Sequence, residues 1–141
     1  MANFNHPYNN KGSLDRLYAD YQKYDTLYIA FDFDNTIWDY DKFKSNYANI
    51  YDAVHWNVVE VLKKAKKAGM KLILWTSCPT PEDEILKTNL CSVWGIKPDY
   101  INWSPLSPNA IKPHFNLLID DRAGLESSIY VLTELIKKIE K

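Results

Sequence analysis

The sequence predicts an α/β protein, one domain on a parallel sheet of about four strands, with helices against both faces and no large cap. Short apolar runs alternate with stretches of helical periodicity along most of the chain, the pattern of successive strand and helix units. Three of those runs stop at polar residues: Asp32-Phe33-Asp34-Asn35-Thr36, Thr76-Ser77 and Asp120-Asp121. A chain of 141 residues is long enough for one core and too short for two.

Residues 1–26 read as an N-terminal extension and residues 27–141 as the domain proper. The Asn-rich start is polar, and Ser13 can cap a short helix to about Tyr24, because Leu14, Leu17, Tyr18 and Tyr21 recur at helical spacing. Leu27 to Phe33 is the first strand. Residues 35–51 carry Trp38, Tyr40, Phe43, Tyr47 and Tyr51 without a clean period, which predicts a loop or small hairpin, a flap of about 37–53 over the strand end.

Val54, Val58, Val61, Leu62 and Ala65 form one stripe of a helix that Gly69 ends, with Lys63, Lys64, Lys66 and Lys67 as its solvated C-terminal side. Lys71 to Trp75 is a buried strand, and Pro81-Glu82-Asp83-Glu84 opens a helix that runs to about Trp94. Asp99 to Trp103 is a short strand. A proline-broken connection, Ser104 to Pro113, leads to the strand Phe115 to Ile119. A last helix carries Leu125, Ile129, Leu132, Ile136 and Ile139 on one face.

Composition excludes several classes. The apolar and charged fractions of 46% and 25% are those of a globular protein, while the aromatic fraction of 14% is high enough to line a surface or pocket. With net charge −1 there is no overall field to draw the protein onto nucleic acid or an anionic membrane, so neither is favoured as a partner. No apolar run approaches the ~20 residues of a membrane helix, and the polar start lacks the pattern of a signal peptide, which predicts a cytoplasmic protein. Cys78 and Cys91 have neither the number nor the spacing of a disulfide framework or a zinc site and read as structural thiols.

In parallel α/β sheets ligands bind outside the carboxyl ends of the strands. Each polar strand end has a purely structural explanation when taken alone: a turn at Asp34-Asn35-Thr36, a capping hydroxyl at Thr76, an N-cap of the last helix at Asp120-Asp121. Together they place four acids at adjacent strand ends with little positive charge, and a divalent cation removes that repulsion most simply. Oxygen-only ligands select magnesium over zinc.

These residues resemble the haloacid dehalogenase superfamily of aspartate-nucleophile phosphatases, in its small capless form, over about Leu27 to the chain end. An apolar strand followed by DxDx[TV] is matched by Asp32, Asp34 and Thr36, a Thr closing an apolar strand by Thr76, and an acidic pair after an apolar strand by Asp120 and Asp121. The resemblance implies a Rossmann-like domain and a magnesium-dependent phosphomonoester hydrolase. In it Asp32 is the nucleophile, forming an aspartyl-phosphate, and Asp34 is the general acid and base. Magnesium is held by Asp32, the Asp34 backbone carbonyl, Asp120 and Asp121, and Thr76 with Ser77 binds the phosphoryl group. An acid at position 34 favours a phosphatase over the dehalogenases and phosphate-transporting ATPases of the superfamily.

The family also uses a lysine against phosphate and nucleophile, for which Lys112 is the candidate. An extended Phe115 to Ile119 at ~3.3 Å per residue would leave Lys112 some ~25 Å from the site, so Arg122 stands as its substitute. Trp38, Tyr40 and Phe43 are the expected substrate-facing aromatics of the flap, with core packing as the alternative. The substrate class expected is a small phosphorylated metabolite, sugar phosphate or nucleotide. A macromolecular phosphatase acting on a nucleic-acid 3′-phosphate or a phosphoprotein, and a non-catalytic magnesium-binding protein, are the alternatives. An open site either admits large substrates or is covered by another subunit of a homo-oligomer.

Overall fold

The computed structural model describes residues 10–41, 51–77, 80–109 and 114–140. Its elements follow in the order α1 (Asn10–Tyr24), β1 (Tyr28–Phe31), α2 (Trp56–Lys67), β2 (Lys71–Leu74), α3 (Pro81–Val93), β3 (Tyr100–Ile101), β4 (Leu117–Ile119) and α4 (Leu125–Glu140). The strands form one sheet in the order β3-β2-β1-β4, and every pairing in it is parallel. No cap domain is present among the described residues, and none of their helices is long and apolar enough to cross a membrane.

The apolar runs become strands because both of their faces are covered. Ile29, Ala30 and Phe31 of β1 and Leu72, Ile73 and Leu74 of β2 are all fully buried, although alternate residues point to opposite faces. The strands are shorter than the apolar text, so β1 stops at Phe31 and β4 starts only at Leu117.

The helix stops are those the residues call for. Gly69 and Gly95 take positive φ, 90° and 78°, where glycine carries no steric cost. The Thr80 hydroxyl accepts from Asp83 N at 3.1 Å and caps α3, with Pro81 in the first turn.

Residues 1–26 are not an appendage as a whole. Leu17 of α1 is buried in the main core, and Leu14, Tyr18 and Tyr21 pack against it, so α1 is part of the domain. Nor do Asp120 and Asp121 cap the last helix, which begins four residues after Asp121 at Leu125.

Candidate active site

The sheet register brings the polar strand ends into one row. Phe31 pairs with Leu74 and with Ile119, and Leu74 pairs with Ile101. The residues that follow these four are Asp32, Trp75, Asp120 and Asn102. The ladder reaches into that row: Asp32 N donates to Ile119 O at 3.0 Å, Trp75 N to Phe31 O at 2.8 Å and Asn102 N to Leu74 O at 2.8 Å. Above the row lies an open cavity of about 680 Å³, lined among others by Asp32, Asp34, Thr76, Ser77, Asp120 and Asp121.

After β1 the chain turns tightly. Thr36 N and Ile37 N both donate to Phe33 O, at 3.2 and 2.8 Å, and Asn35 takes φ 64°, a left-handed conformation that asparagine tolerates. The turn sends Thr36 inward, where it is fully buried and locks the two acidic segments together. Its hydroxyl accepts from Asp121 N at 2.9 Å and donates to Asp121 Oδ1 at 3.2 Å. Asp120 Oδ1 accepts from Arg122 N at 2.9 Å.

Asp32, Asp120 and Asp121 each offer one carboxylate oxygen within 4.8 Å of the others. Burial, the neighbouring Asp120, and less strongly Asp121 and Asp34, push the Asp32 carboxyl up to about 6 against a hydrogen bond from the Phe33 backbone that pulls it down. Ionising Asp32 is therefore costly in the bare protein. An all-oxygen donor set of this kind is the chemistry that hard cations take, and the three carboxylates are close enough that they could hold a metal ion.

Asp34 lines the same cavity, and its side chain has partners of its own. Its Oδ1 accepts from Trp38 Nε1 at 2.7 Å and its Oδ2 from Lys87 Nζ at 3.0 Å. Lys87 is only 2% exposed and stands 3.0 Å from Asp83 Oδ2 as well, an ion pair by distance without the alignment of a hydrogen bond. Its ammonium also lies 5.9 Å from the centre of the Phe33 ring. Burial pulls the Lys87 pKa down, but the two carboxylates outweigh it and hold the group above its ordinary value.

Trp38 is 1% exposed and packs edge-on against Phe33, with ring centres 4.8 Å apart. It therefore belongs to the core and to Asp34, and the expectation that it faces substrate is corrected. Tyr40, at 40% exposure, does line the cavity, as does Arg122. Lys112, Phe43, Tyr47 and Cys78 lie outside the described residues, while Cys91 is a buried thiol pushed up to about 12 by burial and is inert.

No protein-family model matches the chain, and no curated protein does. A solved structure does. It is that of a conserved protein coded by a locus from Bacteroides thetaiotaomicron, 28% identical, with a TM-score of 0.60 over 82% of this chain and 93% of that one. The four-stranded parallel sheet with its helices is thus a Rossmann-like α/β fold.

Two residues of the candidate site escaped the sequence reading. Lys87 sits at helical spacing with Leu90 and Cys91 of α3 and with Trp94 at its end, but other apolar residues of the helix are exposed, so that spacing did not single it out. Asn102 had no signal, since its position depends on the register of β3 against β2.

Proposed function

We propose that this protein is a magnesium-dependent phosphomonoester hydrolase that works through an aspartyl-phosphate, a small capless member of the haloacid dehalogenase superfamily. The observation that carries the reading is the convergence of Asp32, Asp120 and Asp121 oxygens within 4.8 Å in the cavity that Thr76 and Ser77 also line.

In this reading Asp32 Oδ attacks phosphorus, forming the acyl-phosphate bond as the bond to the leaving oxygen breaks. Asp34 gives that oxygen a proton and then takes one from the water that cleaves the intermediate. Uncatalysed phosphate-monoester hydrolysis is among the slowest reactions known, and enzymes accelerate it up to ~10²¹-fold, so positioning must add to acid–base help. Here the indole of Trp38 and the ammonium of Lys87 fix the Asp34 carboxylate. Thr76 and Ser77 hold the phosphoryl oxygens, with Arg122 at the cavity edge as a second cationic contact.

Asp32, Asp120, Asp121 and the Asp34 carbonyl would hold magnesium. Bound there, it would offset the charge between nucleophile and phosphoryl oxygens. Among the described residues Lys87 is the buried cation beside the site, and it pairs with Asp34 where the family's lysine serves the nucleophile. The substrate expected is a small phosphorylated metabolite, sugar phosphate or nucleotide. Tyr40 and Trp75, which both line the cavity, are the aromatic rings within reach of its leaving group.

The test is hydrolysis of an aryl phosphate with magnesium, its loss in EDTA, and its loss in Asp32→Asn. Panels of sugar phosphates, nucleotides and 3′-phosphorylated oligonucleotides then rank the leaving groups. A wild-type protein inert on every panel member would leave the non-catalytic magnesium-binding reading standing.

A further inference from the structure

The β2–β3 ladder ends where β3 turns away. Its last paired residue is Ile101, and Asn102 adopts φ 50°, a left-handed conformation that few residues other than glycine, asparagine and aspartate accept readily. Beyond that point β3 provides no backbone to pair with Thr76, yet Thr76 is buried and its peptide groups need partners.

The Asn102 side chain supplies both. Its Oδ1 accepts from Thr76 N at 2.8 Å, and its Nδ2 donates to Thr76 O at 2.8 Å. With Asn102 N donating to Leu74 O, this one residue makes three hydrogen bonds to the end of β2. An amide side chain thus imitates one further rung of the sheet. Only a residue that combines a tolerated left-handed backbone with a donor and an acceptor on a short side chain can do so.

The clamp also decides which donors of the Thr76 loop are left. Thr76 N–H is used by Asn102. The Thr76 hydroxyl and the Ser77 N–H have no hydrogen-bond partner among the described residues, and both residues line the cavity that holds Asp32.

We propose that Asn102 is a positioning residue: it holds the Thr76 peptide so that the Thr76 hydroxyl and the Ser77 N–H form the phosphoryl-binding pair. This rests on the phosphatase reading and adds to it a residue that acts through Thr76.

The probe is orthovanadate, a phosphoryl mimic, titrated calorimetrically with magnesium present against wild type, Asn102→Gly and Asn102→Ser. Glycine removes the clamp and suits the positive φ, so it separates the clamp from backbone strain. Both variants are expected to bind vanadate roughly tenfold or more weakly, because small misplacements of binding groups are costly. Their magnesium affinity should stay within about twofold, since the metal-binding acids follow β1 and β4.

Added to Thr76→Val, Asn102→Gly should cost less than it does alone, as expected for residues acting as a unit. Vanadate binding like wild type in both folded variants, or a fully additive double variant, would overturn the inference. A role confined to folding would lower the melting temperature and leave the vanadate affinity of the folded protein intact, which also overturns it. A wild type that binds no vanadate would instead sink the phosphatase reading, and this inference with it.

Discussion

The ammonium of Lys87 and the carboxylate of Asp34, 53 residues apart in sequence, meet at 3.0 Å. The pair joins the loop after β1 to α3, so it ties the segment that carries Asp34, the proposed acid–base group, to the helix that follows Thr76. Replacing Lys87 by methionine keeps the bulk and removes the charge. Breaking a buried pair costs about 3–5 kcal/mol when the remaining charge stays dry. Asp34 and Asp83 keep 34% and 28% exposure and can rehydrate, so the expected loss is at or below the lower end, ~3 kcal/mol by urea unfolding. On the proposed mechanism turnover should fall with little change in KM, since Lys87 bonds to Asp34 and not to Thr76 or Ser77.

Trp38→Phe keeps a ring against Phe33, deletes the donor to Asp34 Oδ1 and vacates the space of the indole's second ring in a fully buried site. A hydrogen bond to a charged group is worth ~1.5–3 kcal/mol, less where water can replace it. The variant should fold, lose roughly 2–4 kcal/mol from the missing bond and the vacated volume together, and show a lower kcat at unchanged magnesium affinity. An unaltered kcat would show that Asp34 needs no help from the indole.

Thr36→Val is nearly isosteric and removes the hydroxyl that both accepts from and donates to Asp121. The Asp121 N–H then loses its acceptor, at about 1–3 kcal/mol. Groups that orient metal ligands matter about 10–100-fold for metal affinity, so magnesium binding should weaken by roughly that factor. Titration calorimetry reads it directly.

The pH dependence follows from Asp32. Its folded pKa of about 6 lies above the ordinary 3.8, so between about pH 4 and 6 the folded state holds a proton that the unfolded chain has released. That contribution to stability is fully present below about pH 4 and is lost as pH rises through 6. In EDTA the melting temperature should therefore fall across this window. Magnesium bound as proposed would compete with the same proton, so its stabilising effect should grow as pH rises through 6. A flat profile in EDTA would show that Asp32 ionises without strain.

What the sequence disclosed was whatever depends on neighbours along the chain. Ile29 to Phe31 and Leu72 to Leu74 read as strands because central parallel strands are apolar on both faces, and the acids at their ends read as a site because such strands all point one way. Lys87 was hidden by its surroundings. Ile85, Leu86 and Val93 lie exposed on the outer side of α3, so the apolar text there does not mark the buried face, and a lysine reads as solvated. Trp38 misled for the opposite reason, since an aromatic in irregular text looks like a pocket wall until the tight turn at Phe33 folds it inward. Asn102 required knowledge of which strands are neighbours.

The outer strands of the sheet, β3 and β4, are only two and three residues long. An exposed sheet edge is a template on which another chain can add a strand, and short edge strands are one way proteins blunt it. Here the long apolar runs are confined to the two inner positions, while the outer ones offer a foreign strand at most a few hydrogen bonds. The arrangement that lines up four strand ends around one cavity also leaves, among the described residues, little edge on which copies of the protein could polymerise.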